Sequence, residues 1–327
     1  MKILPNRGWL RRTLAGSALL LVALSAAAQY PSKPVRILVP FPPGGGVDIV
    51  ARAVGEKLAP RLGQSVVIEN KPGAAMIIGT EATVKSAPDG YTLLIGPLGS
   101  QAIVQMTYRN LSFDIRRDLA PVTRIGYGTI VLVVPASSRA TSVSQLVALA
   151  KAEPGRLTFA SSGTGALIHL TGEMFKQAAG IDLTHVPYKG TTQILPDLLD
   201  GRIHMTIDSL PAYLPHIRSG KVRALAVATR EHSPLLPGVP TMAEAGVPGV
   251  ISATDYGLYA PAGTPRDIVA LLNRDMQEVL QSTDLRSKLA LQGIEIAGST
   301  PEAMQAELLG EFAKWSKVIR DANLRMQ

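Results

Sequence analysis

Two glycine-rich loops carry the chemistry that can be read most directly from this sequence. The first is Phe41-Pro42-Pro43-Gly44-Gly45-Gly46-Val47-Asp48. It follows a short aliphatic run and precedes a stretch with helical spacing, so its backbone N–H groups would open a helix. Glycines allow close backbone approach, and the positive end of a helix dipole favours an anion. The loop therefore predicts a receptor for a carboxylate or a phosphate, although the glycines could also form only a tight turn and Asp48 could be a helix N-cap.

The second loop has the same strand–loop–helix plan with hydroxyl groups added. It is Ser161-Ser162-Gly163-Thr164-Gly165, and His169 follows four residues later. Hydroxyl and N–H donors together can bind both oxygens of a carboxylate. For His169 the alternatives are a contact with the ligand and a packed or capping histidine. Neither loop is a nucleotide site, because no Gly-Lys-Ser/Thr follows the first and Gly-x-Gly-x-x-Gly is absent.

Two further polar residues follow predicted strands, where open α/β sheets place ligand groups. Asp208 could accept a hydrogen bond from a ligand or a bridging water, or it could cap the next helix. Lys189 could contact an anion, or it could be a solvated loop lysine. Two anion-receiving loops in separate units predict an acidic ligand held between them.

An enzyme is the competing interpretation, because Ser161, His169 and Asp208 are the residue types of a nucleophilic triad. Ser161 is not in a Gly-x-Ser-x-Gly elbow, and nothing in the sequence places the three side chains in contact. No His-Glu-x-x-His spacing suggests a metal. We therefore expect no catalysis, no metal and no cofactor.

Alternating strands and helices must position these loops. The first unit is predicted as strand Val35–Val39, helix Asp48–Leu62, strand Ser65–Glu69, helix Ile78–Ser86 and strand Tyr91–Ile95. The pattern restarts with a strand at Ile130–Val134 and continues through the strands Leu157–Ala160, Leu183–Val186, Ile203–Ile207 and Arg223–Ala228. A strand at Tyr256–Tyr259 and three helices complete the chain. A parallel sheet in each unit is implied, and two crossings between the units predict a hinge and a cleft.

The charge of the chain argues against nucleic acid once its distribution is considered. The 327 residues carry 33 Lys+Arg and 25 Asp+Glu, a net charge of +8. Four basic residues and no acidic residue lie in the first 28 positions, followed there by an apolar run and the small residues Ala26 and Ala28. This is the layout of a signal peptide cut after Ala28, before Gln29, by the general or the twin-arginine route. The rest is nearly balanced, and the 0 cysteines exclude disulfides and a lipid-anchored cysteine.

A set of motifs spread along the chain resembles the Bug family, the periplasmic solute-binding proteins of tripartite tricarboxylate transporters. The motifs are the first glycine loop, Glu69-Asn70-Lys71-Pro72-Gly73-Ala74, Pro88-Asp89-Gly90-Tyr91-Thr92, Ser161-Ser162-Gly163, His185-Val186-Pro187-Tyr188-Lys189-Gly190, Val239-Pro240-Thr241-Met242 and Ala260-Pro261-Ala262-Gly263-Thr264-Pro265. They occur in order over nearly the whole chain after the predicted signal peptide.

The resemblance implies a two-lobed type-II periplasmic binding fold, a Venus flytrap of two doubly wound α/β domains joined by two crossover segments. Lobe 1 would comprise residues 29–127 and 256–327, and lobe 2 residues 128–255. The ligand would be a small organic carboxylate, such as a dicarboxylate, a tricarboxylate, an amino acid or an aromatic acid. The implied partners are two integral membrane subunits, and the protein is expected to be a periplasmic monomer. The implied ligand residues are Phe41, Pro42, Gly44, Gly45, Gly46, Asp48, Gly99, Ser100, Ser161, Gly163, Thr164, Gly165, His169, Lys189 and Asp208.

The sequence departs from the family pattern at four places that bear on the ligand. They are Val47, Ala75-Met76-Ile77, Thr164-Gly165-Ala166 and Asp255. A bulkier, more apolar wall is expected at 75–77, and Asp255 would repel a ligand carboxylate if it faced the cleft. Transport, sensing through a receptor and a secreted hydrolase remain as functions, and a DNA-binding regulator is disfavoured because no helix-turn-helix is present.

Overall fold

The computed structural model of the protein describes residues 30–188 and 190–322. The predicted signal peptide and Lys189 lie outside the described residues. No helix within residues 30–188 and 190–322 is long and apolar enough to cross a membrane.

The first part of the chain builds one sheet with helices on both faces. Its elements are β1 (Val35–Val39), α1 (Gly46–Leu62), β2 (Val66–Asn70), a 3₁₀ turn (Ala74–Met76), α2 (Ile77–Val84), β3 (Thr92–Gly96), α3 (Leu98–Thr107), α4 (Ile115–Asp118) and β4 (Leu119–Pro135). Strands β1 and β3 are almost wholly buried aliphatic residues, as is usual where helices cover both faces of a parallel sheet.

The remaining elements build a second sheet and then return to the first. They are α5 (Val143–Ala152), β5 (Thr158–Ser161), α6 (Leu167–Ala179), β6 (Thr184–Pro187), α7 (Thr191–Leu199), β7 (Met205–Ser209), α8 (Leu210–Arg218), β8 (Val222–Val227), β9 (Ala253–Pro261), α9 (Arg266–Leu280), α10 (Thr283–Ala290), β10 (Ile294–Ile296) and α11 (Pro301–Asp321). The strand order is β2-β1-β3-β9-β4-β7-β5-β6, with β8 and β10 also paired to β4.

The long strand β4 joins the two sheets and fixes the direction of the others. It pairs with β9 as far as Thr129 and with β7 from Ile130 onward. Strands β3 and β4 both run antiparallel to β9, so β1, β3 and β4 run the same way. Strands β5 and β7 run opposite to β4. The carboxyl ends of both sheets therefore point at the junction between Thr129 and Ile130, which we call the seam.

The last helix packs against both sheets. Met304 and Leu308 of α11 lie in a core cluster of the first sheet with Leu94. Trp315 and Ile319, further along the same helix, lie in a cluster with residues of the second sheet. The seam lies two residues from the predicted lobe limit at 127/128. The division into lobes stays a prediction, because α11 contributes to both cores.

The structure adds elements that the sequence analysis did not predict. Helices α3, α4 and α8 and strand β10 were missed, and the strand predicted at Ile130–Val134 is the second half of the 17-residue β4. Gly99 and Ser100, two of the implied ligand residues, lie in the first turn of α3, which begins at Leu98. Helices α3 and α8 start beside a proline, Pro97 or Pro211, which suits the first turn of a helix as well as a loop.

Candidate functional site

The first glycine loop is organised by a buried carboxylate. Asp48 is 2% exposed and accepts hydrogen bonds from the Gly44 N–H, Arg52 Nε and Asn70 Nδ2, each at 2.9 Å. Asn70 also donates to the Phe41 carbonyl. The predicted helix start at Asp48 is wrong, since α1 begins at Gly46 with Gly45 as N-cap. Asp48 sits in the first turn and reaches back to the loop.

The charge state of Asp48 follows from these bonds. Burial alone would raise the pKa of Asp48, but the hydrogen bonds from Arg52, Gly44 and Asn70 outweigh it, and the pKa is lowered. The carboxylate is therefore ionised at neutral pH. Its hydrogen bond from the Gly44 N–H makes that donor unavailable to a ligand. This geometry gives Asp48 a positioning role, and its direct contact with a ligand stays a prediction.

The remaining loop donors lie at the start of α1. The first hydrogen bond of the helix runs from the Ile49 N–H to the Gly45 carbonyl, so the N–H groups from Gly46 to Asp48 precede any intrahelical bond. Gly44 needs its positive φ of 84°, whereas Gly45 has an ordinary φ of −77°. A Cβ at Gly45 would find its nearest neighbour, the Pro42 carbonyl oxygen, at 3.8 Å. The fold itself therefore does not require glycine at position 45.

Tyr256 is a site residue that the sequence analysis missed. Its hydroxyl would lie 3.1 Å from a Cβ at Gly46 and 3.2 Å from one at Gly128. Gly128 is next to the seam on β4, and Tyr256 is on β9. The hydroxyl thus brings a further polar group to the amino terminus of α1. Only the β4–β9 register reveals it, because Tyr256 is more than 200 positions from the loop in the sequence.

The second loop is held by side-chain to backbone bonds. Ser161 is completely buried; its Oγ accepts from the Gly163 N–H at 3.2 Å and lies 2.7 Å from His185 Nε2. The Gly165 N–H donates to His169 Nδ1 at 3.0 Å. Gly163 and Gly165 have φ values of 137° and 79°, which only glycine adopts readily. The exposed Thr164 lies between them, so the loop presents a hydroxyl group ahead of α6.

The histidines beneath this loop form a stack. The rings of His169 and His185 are 3.8 Å apart, and Phe159 stacks on both. Burial, the mutual repulsion of the rings and the nearby Lys176 lower the pKa of His169 to about 4; burial and Lys176 do the same for His185. Both are neutral at pH 7, which leaves His169 Nδ1 free to accept from Gly165. His185 was quoted only as part of a motif, and pairing of β5 with β6 places it at the site.

Asp208 is deeply buried beside the seam. It is completely inaccessible, and it accepts from the Ser209 N–H at 2.6 Å, from the Tyr213 hydroxyl at 3.0 Å and from Thr191. Burial raises its pKa to about 6 despite these bonds. Asp208 thus ties the start of α8 to α7, and a direct contact with a ligand stays a prediction.

Three predicted ligand residues remain. Gly99 and Ser100 follow a strand of the first sheet, and Lys189 lies outside the described residues. Gly99 and Ser100 are in the first turn of α3, after β3. A Cβ at Gly99 would lie 2.7 Å from Glu311 Oε2, so the α-carbon of Gly99 faces α11. Gly190, the neighbour of Lys189 in the sequence, directly precedes α7.

Asp255 lies among the charges of α11. Tyr256, the next residue of β9, packs in the core cluster of the opposite face, because neighbouring strand residues alternate. Burial and the nearby Glu311 raise the pKa of Asp255 to about 7, while Lys314 and Arg124 act in the opposite sense. Asp255 is therefore coupled to α11, and its predicted repulsion of a ligand finds no support here.

The turn after β2 is strained. Ala74, Ala75 and Met76 have φ values of 43°, 50° and 78°, a conformation that costs a residue with a Cβ roughly 1 kcal/mol or more. Met76 is nevertheless buried, with 7% exposed. The sequence analysis predicted a bulkier wall at 75–77; the structure adds that three non-glycine residues are forced into a glycine-like backbone there.

Replacing Ala75 with glycine should stabilise the protein. Ala75 is exposed, so Ala75→Gly removes the left-handed strain without a cavity, and we expect the free energy of unfolding to rise by about 0.5–1 kcal/mol. Ala306→Gly, at an exposed position inside α11, is the matched control and should lower it by about 1 kcal/mol. Urea unfolding measures both, and a loss of stability in Ala75→Gly would contradict the strain.

The arrangement does not form the triad considered above. Ser161 contacts His185 and not His169, and Asp208 bonds to Ser209, Tyr213 and Thr191. Within the described ranges, no group of three or more His, Asp or Glu side chains could hold a metal ion. What the site offers is two helix starts with uncharged donors, at the carboxyl ends of β1 and β5.

A two-sheet α/β fold with donor loops at a shared seam defines a class, the extracytoplasmic solute-binding proteins. Residues 50–324 match the model of the tripartite tricarboxylate transporter family receptor. The chain belongs to this family, which confirms the resemblance drawn from the motifs and the predicted two-lobed fold. Its members are solute-binding proteins rather than enzymes.

Individual relatives agree with this membership over nearly the full length. Protein BugT of Bordetella pertussis is 38% identical, covering 92% of this chain and 93% of that protein. The solved structure of R. palustris Rpa4515 with adipate is 39% identical with a TM-score of 0.79, covering 90% of this chain and 98% of that one. MatC from Rhodopseudomonas palustris with bound malate is 30% identical with a TM-score of 0.74, covering 89% and 100%.

Proposed function

We propose that this protein captures a small organic carboxylate between its two lobes and delivers it to two integral membrane subunits of a tripartite transporter. Binding would close the lobes about the seam, because a ligand held by both loops favours the closed state. The protein would act as a periplasmic monomer after cleavage between Ala28 and Gln29. Mass measurement of the exported protein tests the cleavage site.

One observation supports this proposal above the others: two helix starts meet one seam. Strands β1 and β5 run in opposite directions, so the N–H groups opening α1 and α6 are directed toward the same junction. Each start follows a glycine loop with no side-chain cap. Helix N-termini of this kind stabilise an anion through N–H donors and the helix dipole.

The chemistry of the relatives points to the same class of ligand. One solved relative holds adipate and another holds malate, both of which are dicarboxylates. In this chain the donors are backbone N–H groups and hydroxyls such as Thr164. These donors carry no net charge. We therefore propose that the protein selects its ligand by the ligand's own negative charge and by its shape.

Affinity for a carboxylate should fall in acid. The N–H donors stabilise the ionised form, so protonation of the ligand removes the charge-assisted bonds, each worth roughly 1.5–3 kcal/mol. We expect the Kd of a bound dicarboxylate to rise about tenfold per pH unit below its carboxylate pKa. Isothermal titration calorimetry between pH 4 and 8 measures this, after a thermal-shift screen of dicarboxylates, tricarboxylates, amino acids and aromatic acids.

The matched control is the diamide of the same acid, which cannot ionise. Any pH dependence that the diamide shares belongs to the protein, including protonation of His169 and His185. A dicarboxylate affinity that stays constant over this range would contradict an anionic ligand, and the absence of any binder in the screen would contradict the proposed function.

A further inference from the structure

Two polar side chains, Gln101 and Tyr259, are buried without a hydrogen-bond partner among the described residues, and Gln101 carries the whole amide of its side chain in this state. Gln101, in the first turn of α3, is 3% exposed, and neither its amide oxygen nor its amide nitrogen has a hydrogen-bond partner among the described residues. Gln105, one turn later, shows the usual arrangement: it donates to the Phe113 carbonyl and accepts from the Ile115 N–H. Buried amides are nearly always paired. Gln101 is therefore a binding group that the folded chain itself does not use.

Gln101 lines a cavity of about 10 Å³, whose other walls are Met76, Ile77, Thr80, Val104, Phe113 and Ile115. That volume holds about one water molecule. No charged side chain is among the lining residues, and all of them except Gln101 and Thr80 are apolar. The cavity thus combines an apolar wall with one amide that can donate and accept.

Two walls of the cavity, Met76 and Gln101, lie at the same edge of the first sheet as the glycine loop. Met76 follows β2 and Gln101 follows β3, and both strands run parallel to β1. Gly79 of α2 packs directly on Pro40, where the glycine loop begins; a Cβ at Gly79 would be 2.8 Å from the Pro40 Cβ. The start of the glycine loop is thus in contact with α2, which supplies Ile77 and Thr80 to the cavity wall.

Met76 closes one side of the cavity and stands on a strained backbone. It is the last of the three residues with positive φ, in the strained turn Ala74–Met76. Strained segments persist only where the surroundings hold them and often mark ligand sites. Methionine is unbranched and changes rotamer readily. Movement of this side chain would enlarge the cavity beyond the size of one water.

We propose that this cavity is a specificity subsite, in which Gln101 binds an uncharged polar group at the far end of the ligand once Met76 moves aside. The inference rests on the proposed function and narrows it. A second carboxylate would be costly among apolar walls without a cation, whereas a hydroxyl or an amide matches the donor and acceptor of Gln101. The preferred ligand is then a carboxylate whose other end is a hydroxyl or an amide.

The test compares four matched probes at pH 7 by calorimetry: butyrate, 4-hydroxybutyrate, succinamate and succinate, together with their six-carbon homologues. We expect the wild-type protein to bind the hydroxyl- and amide-ended acids about tenfold more tightly than butyrate or succinate of the same length. In Gln101→Leu this preference should fall below about threefold while butyrate affinity is kept.

Three further variants keep the result decisive. Gln101→Met serves if the leucine variant does not fold, as judged by thermal unfolding. Met76→Ala should tighten binding of the six-carbon hydroxyl- or amide-ended acid at least about threefold, because the side chain that closes the cavity is gone. Gln105→Leu, which breaks two satisfied hydrogen bonds, should lower stability without changing the order of the probes.

The outcomes separate the subsite from the proposed function. Wild-type preference for succinate, or an unchanged preference in both Gln101 variants, would overturn the subsite while leaving carboxylate binding intact. An unchanged affinity in Met76→Ala would overturn the role of Met76. If no probe and no other carboxylate binds the wild-type protein, the proposed function fails and the subsite fails with it.

Discussion

Gly45→Val is expected to abolish ligand binding and to leave the fold intact. The added Cβ meets only the Pro42 carbonyl oxygen, at 3.8 Å, and φ is an ordinary −77°, so the backbone accepts a Cβ at this position without strain. A branched side chain there would instead cover the N–H groups at the start of α1. Losing two charge-assisted hydrogen bonds weakens binding by at least about 100-fold.

Calorimetry with any carboxylate that binds the wild-type protein measures this effect. Gly238→Val is the matched control, because Gly238 is exposed and a Cβ there meets nothing within 4 Å. We expect it to bind like the wild type. Normal binding by a folded Gly45→Val protein would mean that the loop is only a turn.

Asp208→Ala is expected to destabilise the protein by about 2–4 kcal/mol at pH 5. The substitution leaves the Ser209 N–H and the Tyr213 hydroxyl buried without their acceptor. The sequence left a ligand contact and a helix cap open for Asp208, and the complete burial of this carboxyl makes a loss of stability the expected result. Urea unfolding measures the loss.

Asp208→Asn separates the charge of this group from its hydrogen bonds. The pKa of Asp208 is raised to about 6 in the folded protein, so the folded state holds the proton more tightly than the unfolded chain. The contribution of this proton to the free energy of unfolding is therefore fully present below about pH 4 and is lost as pH rises through about 6. Relative to Asp208→Asn, the wild type should lose roughly 2–3 kcal/mol between pH 4 and pH 7.

The other titrating groups, including His169 and His185, contribute equally to the pH dependence of stability in the wild type and in Asp208→Asn, so their effects cancel in the difference. Asp200→Ala is the surface control, since Asp200 pairs with Arg202 where both side chains are more than half exposed; its effect should be below about 1 kcal/mol. A pH-independent difference between wild type and Asp208→Asn would contradict the raised pKa. Loss of binding in Asp208→Asn at unchanged stability would show that Asp208 contacts the ligand.

Local patterns predicted most of the strands and helices that position the site. Aliphatic runs marked β1 and β3, and helical spacing marked α1, since these signals depend on neighbours within a few residues. The same patterns missed α3 and α8, because each begins beside a proline that a loop would also tolerate. They also missed the length of β4, whose first half interleaves polar residues and glycines before the buried run at Ile130.

What the sequence determined by itself is the backbone chemistry of the two glycine loops, together with the family that their motifs define. Positive φ and free N–H groups are properties of a few consecutive residues. Only the tertiary structure decided that both loops meet one seam, that Asp48 and Asp208 point inward, and which side chains stand beside the loops. Tyr256 and His185 come beside the loops through strand pairing, and Gln101 is buried by helix packing. Such contacts join residues far apart in the chain, and no local pattern encodes them.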